Sequence, residues 1–113
     1  MAMSKKSLFE QGEVDLSTVC KALGHPARVR IIKLLLVQNN QTCQDIVNKL
    51  PLSQSTVSQH LSELRIANLI SAKNYKTSVI YAVDKDYLAK AQKMFGDLFY
   101  SHILNNIKQP SLF

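Results

Sequence analysis

Apolar residues follow helical spacing in five segments of this chain and strand spacing in a sixth. The predicted helices cover residues 15–23, 25–37, 42–50, 53–67 and 85–108. Residues 69–73 and 78–83 carry short apolar runs on either side of the polar segment 74–77, which predicts a β-hairpin. The pattern therefore predicts a mainly helical fold with one small hairpin.

Residues that favour the ends of helices lie at the predicted boundaries. Gly24 follows the first helix, and Pro26 falls in the first turn of the second, where its missing N–H is not needed. Thr42 and Asp45 form a capping-box-like pair at the start of the third helix. Three further residues are expected to cap or end helices: Ser53, Asn68 and Asp84.

The second and last helices have unusually wide apolar surfaces. In the second, apolar side chains surround most of the axis, so we expect this helix to be the most buried one. The last helix has a wide stripe that so small a core cannot cover, and we expect it to pack, with the first helix, against a second copy of the chain. The stripe comprises Leu88, Ala91, Met94, Phe95, Leu98, Phe99, His102 and Ile103.

The fourth helix combines a narrow buried stripe with a polar cluster at its start. Val57, Leu61 and Leu64 hold the inward positions. Serine and threonine are mediocre helix formers, so helix propensity does not explain the polar cluster. Braced by a shorter helix behind it, such a helix is suited to reading base edges in a major groove. The residues expected to contact bases and phosphates are Gln54, Ser55, Thr56, Ser58, Gln59 and His60.

Some members of this cluster also have an alternative role within the protein. Ser53 and Thr56 suit the N-cap and N3 positions of the helix, and His60 could be a partly buried packing residue. Further DNA contacts are expected from Arg65 and from the hairpin tip, residues 73–77, where cations would lie over the flanking backbone and minor groove. The hairpin residues in question are Lys73, Tyr75 and Lys76, while Arg28 and Arg30 could also touch phosphate.

A hairpin directly after a helix-turn-helix is the winged-helix arrangement. We therefore predict a winged helix-turn-helix fold that is dimeric through its terminal helices. Residues 1–12 are expected to be a flexible arm, residues 13–108 the DNA-binding domain with its dimerisation helices, and residues 109–113 a tail.

The charge of the chain favours a polyanionic partner. The formal net charge is +6 and the sequence pI about 9.5. Residues 21–83 contain eight basic and two acidic side chains and thus account for the whole excess. A solvated basic face is the alternative interpretation.

Neither a targeting signal nor a membrane-spanning run is apparent, so we expect a cytoplasmic protein without a membrane partner. In that compartment Cys20 and Cys43 are expected to be reduced thiols. Cys43 lies in the first turn of a helix, where the helix dipole favours the thiolate, and is a candidate sensor. Its alternative role, and that of Cys20, is a small buried hydrophobic residue.

Three segments resemble the ArsR/SmtB family of small winged-helix repressors. They are LGHPARVRIIKLLL, CQDIVNKLPLSQSTVSQHLSELRIANLI and SAKNYKTSVIYAV, and the similarity covers roughly residues 16–98. The resemblance implies a homodimer that binds a palindromic double-stranded operator. It also implies release of the operator when the protein senses a metal ion or another chemical cue.

The metal sites of that family are incomplete here. The Cys-x-Cys pattern at the start of the third helix is replaced by Thr42-Cys43-Gln44, which has one thiol. The zinc site on the last helix needs an Asp-x-His pair, whereas Asp97 and His102 are five residues apart. Since a divalent transition metal usually requires three or four protein ligands, no metal ligand and no cofactor is predicted. A site made by Asp97, His102 and their symmetry mates stays an alternative.

The function expected from these residues is that of a sequence-specific transcriptional regulator, a homodimeric repressor released from DNA by an unidentified signal. A winged-helix protein-interaction module and a constitutive DNA-binding protein without an inducer are the alternatives. The sequence contains neither a glycine-rich phosphate loop nor paired catalytic carboxylates, and we expect no enzymatic activity.

Overall fold

The computed structural model describes residues 8–100 and residue 103. Its elements, in chain order, are α1 (Gln11–Ala22), α2 (Pro26–Val37), α3 (Cys43–Val47), α4 (Gln54–Ile66), β1 (Ile70–Tyr75), β2 (Ser78–Val83), α5 (Lys85–Phe95) and a π-helical segment (Gly96–Tyr100). The predicted mainly helical fold with a single hairpin is confirmed. Within the described residues, no helix has both the length and the apolar character needed to cross a membrane.

Helix α1 begins at Gln11, four residues before its predicted start at Asp15. The early start is explained by a capping box between Glu10 and Glu13. The Glu10 backbone N–H donates to Glu13 Oε1 at 3.0 Å, and the Glu10 side chain accepts from the backbone N–H of Glu13. Polar residues thus start the helix before its apolar pattern begins.

Helix α2 is buried on one side only and has fewer buried residues than α4, so the prediction that it is the most buried helix was wrong. Ile31 and Leu35 are fully buried, whereas Leu36 and Val37 are 60% and 89% exposed. The helix packs against α4 and β2. Its other side faces solvent because, within the described residues, too few elements surround it.

The two ends of α4 are formed as its sequence predicts. The Ser53 hydroxyl accepts a hydrogen bond from the backbone N–H of Thr56 at 3.3 Å. At the other end, Asn68 has a left-handed backbone (φ 65°), and the N–H of Leu69 donates to the carbonyl of Leu64 at 3.0 Å. This is a Schellman-type end, which directs the chain into the hairpin.

The hairpin has a shorter loop than predicted. Strands β1 and β2 pair antiparallel from Ile70 with Val83 to Tyr75 with Ser78, which leaves Lys76 and Thr77 as a two-residue loop. Lys76 has φ 56°, the left-handed conformation that such tight hairpin loops use. The prediction that residues 73–75 form the tip was therefore wrong, because these residues are paired in β1.

Gln41 fastens the hairpin to the loop between α2 and α3, a role the sequence analysis missed. Its backbone forms a bridge with Tyr81 through bonds of 3.0 and 2.8 Å. The side chain is buried and donates to the carbonyls of Leu34 (3.1 Å) and Gln38 (2.6 Å), while its oxygen accepts from Lys49 (2.9 Å).

Helix α5 is capped by Asp84, as predicted, but it does not continue as a regular α-helix to residue 108. The α-helical part ends at Phe95, and Gly96–Tyr100 forms a π-helical segment. Ala91 is buried against the core, whereas Leu98 and Phe99 are exposed. Residues 101, 102 and 104–108 of the predicted helix, His102 among them, lie outside the described residues.

Candidate nucleic-acid interface

Helix α4 separates a buried face from an exposed polar face. Val57, Leu61 and Leu64 are fully buried, and together with α2 and α3 they fix the orientation of the helix. Five of the six polar residues predicted to contact DNA from this helix are exposed. They are Gln54, Ser55, Thr56, Ser58 and Gln59.

Hydroxyl groups at the start of α4 hydrogen-bond to one another. The Ser53 hydroxyl donates to Thr56 Oγ1 at 2.9 Å and lies 3.2 Å from Ser55 Oγ. Ser53 and Thr56 therefore serve the helix as cap and N3, as the alternative interpretation had it. Gln59 donates from Nε2 to Glu63 at 3.2 Å. Its side chain lies on the exposed face, where an amide group can pair with a base edge.

His60 does not lie on the exposed polar face, so its prediction as a groove-facing residue is corrected. The residue is 7% exposed and lies between α4 and the start of α2. Its Nδ1 accepts a hydrogen bond from Arg28 Nε at 3.0 Å, and its ring centroid is 4.4 Å from that of His25. The residue is three positions after Val57 and one before Leu61, and this position turns its side chain inward.

The environment of His60 favours the neutral imidazole. Burial lowers the pKa of His60 below its ordinary value, and the nearby His25 and Arg28 lower it further. The sequence allows Arg28 to touch phosphate, but its guanidinium hydrogen-bonds to His60 and to the carbonyl of Ala22 at 3.2 Å. Arg28 and His60 are 32 residues apart in sequence, which explains why the sequence pattern gave no sign of their contact.

The remaining predicted DNA-binding residues are exposed. Arg65 lies in the last turn of α4, Lys73 and Tyr75 lie on β1, and Lys76 occupies the hairpin loop. The ammonium of Lys76 lies 5.4 Å from the ring centroid of Tyr75, close enough for a cation–π contact. The hairpin therefore presents a basic edge in the same structural unit as α4.

The thiol of Cys43 is not activated in the way the sequence suggested. The residue is half-buried against the core, and burial raises the pKa of the Cys43 thiol above its ordinary value. A helix of five residues has too little dipole to offset this desolvation. The helix therefore gives no net preference for the thiolate. Cys20, in contrast, is exposed on α1 and is not the buried residue that its alternative role required.

The described residues contain no cluster of three or more side chains suited to hold a metal ion. Asp97, the one described member of the alternative metal pair, accepts a salt bridge from Lys93 at 2.9 Å. His102 lies outside the described residues, so the pair itself stays a prediction.

Comparisons with known proteins agree with this geometry. Residues 25–72 match the family model described as "Bacterial regulatory protein, arsR family". The nodulation protein NolR of Rhizobium meliloti is 32% identical over 78 residues, which are 69% of this chain and 63% of NolR, so the match spans less than two thirds of that relative. A helix-turn-helix transcriptional regulator of Methanocaldococcus jannaschii is 30% identical over 80 residues, covering 71% of this chain and 90% of the regulator.

Solved structures show the same fold. An ArsR-like transcriptional regulator from Rhodococcus superposes with a TM-score of 0.72 at 22% identity, covering 86% of this chain and 92% of that one. A homodimeric winged helix-turn-helix DNA-binding domain from Mycobacterium bovis gives 0.65 at 20% identity, covering 90% and 92%. The predicted winged-helix fold is thus confirmed, and the chain belongs to the ArsR family of transcriptional regulators, which are DNA-binding proteins and not enzymes.

Proposed function

We propose that this protein is a homodimeric, cytoplasmic repressor that binds an operator of two inverted half-sites and is released by a chemical signal. The observation that carries the proposal is the construction of α4. Fully buried Val57, Leu61 and Leu64 hold the helix in place, and exposed amides and hydroxyls cover its outer face. An interior role does not need that face, whereas base edges in a major groove match it.

Apolar residues at both ends of the described chain support a dimer. The M. bovis neighbour is homodimeric by its own description, and α1 packs on α5 in this chain. A second copy would bury the exposed apolar residues at both ends. It would also set the two α4 helices, one from each copy and here called the reading helices, about one DNA turn, roughly 34 Å, apart. The exposed apolar residues are Leu8, Phe9, Leu98, Phe99, Tyr100 and Ile103.

The polar and basic residues divide into two roles in this proposal. Gln59, with Gln54, Ser55 and Ser58 on the same exposed face, reads bases and nearby phosphates. Arg65, Lys73 and Lys76 neutralise phosphates and add affinity that does not depend on sequence. Tyr75 supports the position of Lys76 through their ring contact.

The experiment begins with selection of bound fragments from the source genome, followed by titration of the recovered duplex and a random duplex. Gln59→Ala is expected to weaken the recovered duplex by about 1–3 kcal/mol while leaving random DNA nearly unchanged. Lys76→Ala is the matched control, expected to weaken both duplexes equally and to reduce the salt slope by about one. Equal loss on both duplexes for Gln59→Ala would remove that residue from base reading.

A constitutive binder without an inducer is the second candidate, and the half-buried Cys43 with its raised pKa favours it over a thiol sensor. The test adds zinc, cadmium, peroxide or polysulfide to the protein bound to the recovered duplex. Release by any of them, and its loss in Cys43→Ser, would establish a sensor that uses this thiol. Indifference to all of them leaves the constitutive binder or a regulator with an organic ligand.

A further inference from the structure

Arg28 connects three helices through a single guanidinium group. Its Nε donates to His60 Nδ1 on α4 at 3.0 Å, and its Nη1 donates to the carbonyl of Ala22, the last residue of α1, at 3.2 Å. Arg28 itself lies in the first turn of α2. The contact therefore joins the helix that presents the polar reading face to the end of a helix at the proposed dimer interface.

Both histidines of this cluster accept a hydrogen bond at Nδ1 in the observed arrangement. His60 Nδ1 accepts from Arg28, and His25 Nδ1 accepts from the backbone N–H of Ala27 at 3.0 Å as the cap of α2. An imidazole nitrogen that accepts a hydrogen bond carries no proton, so the His60 ring in this arrangement bears its proton on Nε2. The network exists only while His60 Nδ1 stays unprotonated.

We propose that Arg28 is a positioning residue that couples α1 to the reading helix through neutral His60. Proton uptake at His60 Nδ1 then breaks the link and weakens sequence-specific DNA binding. This inference rests on the proposed function, because it assigns a control point to the same reading helix. The proton comes from solvent, and the new N–H bond at His60 Nδ1 is the one covalent bond that changes in the protein.

Protonation would replace an attractive contact by a repulsive one. The imidazolium can only donate at Nδ1, and Arg28 Nε–H would then lose its acceptor. Two positive charges would also meet in a pocket where His60 is 7% exposed. Within the described residues, the ionisable groups that act on His60 are His25, the N-cap of α2, and Arg28 in its first turn, and none from α3 or β1. On α4 itself, Glu63 is engaged by Gln59.

The sign of the expected effect separates this coupling from general electrostatics. Added positive charge on a DNA-binding protein ordinarily strengthens its attraction to phosphates, so affinity should rise as histidines are protonated. The coupling predicts the opposite for specific DNA, since the reading helix loses its support. Random DNA, which needs no aligned helix, should follow the ordinary electrostatic trend.

The first experiment measures affinity for the genome-selected duplex and for a random duplex at about pH 7.5 and 5.5, with circular dichroism confirming the fold at both. Wild-type protein should lose specific affinity by about fivefold or more at the lower pH, the lower end of an allosteric coupling. His60→Gln keeps an acceptor for Arg28 but does not titrate, and it should abolish this loss. His25→Asn keeps a helix cap and should retain it.

Rising specific affinity of the wild type at low pH, or an undiminished loss in His60→Gln, would overturn the proposal. So would disappearance of the loss in His25→Asn, because the titrating group would then be His25. These outcomes concern the sign and origin of the pH effect. They are distinct from failure of the proposed function, in which no duplex is recovered at all.

A second experiment uses the free wild-type protein and needs no DNA. In an NMR titration, the ring nitrogens of His60 should change with pH, and backbone amides at the end of α1 and the start of α4 should change with the same midpoint. In Arg28→Lys, which keeps the charge but lacks the planar fork, the α1 amides should no longer follow His60. The coupling would be refuted if, in the wild type, the amide signals of α1 did not change with pH or changed with a midpoint different from that of His60.

Discussion

Replacement of Gln41 by leucine tests how strongly one buried amide holds the hairpin to the helical core. The side chain is 1% exposed and makes three hydrogen bonds, two to carbonyls at the end of α2 and one from Lys49. Leucine is similar in size but can make none of them. The backbone bridge between Gln41 and Tyr81 does not depend on the side chain.

The expected loss of stability follows from which partners can find replacements. Lys49 is exposed and can turn to water, so its bond contributes little to the difference. The carbonyl of Leu34 still accepts from the N–H of Gln38 at 2.9 Å. The carbonyl of Gln38 loses its 2.6 Å donor. At about 0.5–1.5 kcal/mol for each of the two carbonyl bonds, the free energy of unfolding should fall by roughly 1–3 kcal/mol.

Urea denaturation followed by circular dichroism measures this change at a fixed protein concentration, because dimerisation would make stability depend on concentration. With a slope of about 1–2 kcal/mol per molar urea, the midpoint should fall by roughly 0.5–3 M. Gln44→Leu is the matched control. Gln44 is exposed and bonds to Asn48, so its replacement should change stability by less than about 0.5 kcal/mol. Equal midpoints for the two variants would refute the reasoning.

Three further predictions concern single positions. Asn68→Ala should lower the free energy of unfolding by about 1 kcal/mol and Asn68→Gly should not, because φ is 65° there; equal urea midpoints would contradict this. Iodoacetamide should label exposed Cys20 before half-buried Cys43, whose pKa is raised, with the order read by mass spectrometry of peptides. The free energy of unfolding should fall as pH drops below about 6.5, because the pKa of His60 is lowered in the folded protein and the unfolded chain therefore binds a proton at His60 more readily. Thermal melts of wild type and His60→Gln at several pH values measure this loss. Equal pH dependence in the two proteins would contradict the prediction.

Local signals predicted α4 well. Ser53 and Asn68 mark its two ends through their own capping chemistry, and Val57, Leu61 and Leu64 mark its inner face by their spacing. These features depend on residues within one or two turns of each other, which is the range over which a sequence pattern carries information. The exposed polar face of α4 followed from the same spacing.

Contacts between distant residues were beyond that range. The bond between Arg28 and His60 joins positions 32 residues apart, and a histidine gives no signal of whether it faces a neighbour or solvent. Gln41 lies in a polar stretch of the sequence, residues 38–41, although its amide fills a buried position. The exposure of Val37 could not be predicted either, because the spacing of apolar residues does not show whether a described element will pack beside each of them.

The π-helical segment after Phe95 has a consequence for how this protein could diverge. A π-helical turn holds more residues than an α-helical one, so side chains after Gly96 point in a different direction around the axis from those before it. Ala91 thus belongs to the interior of one subunit, while Leu98 faces outward. In the dimer that we propose, changes in the outward residues would alter which copies recognise each other and leave the interior of each subunit untouched, so that related regulators in one cell avoid mixed assemblies without becoming less stable.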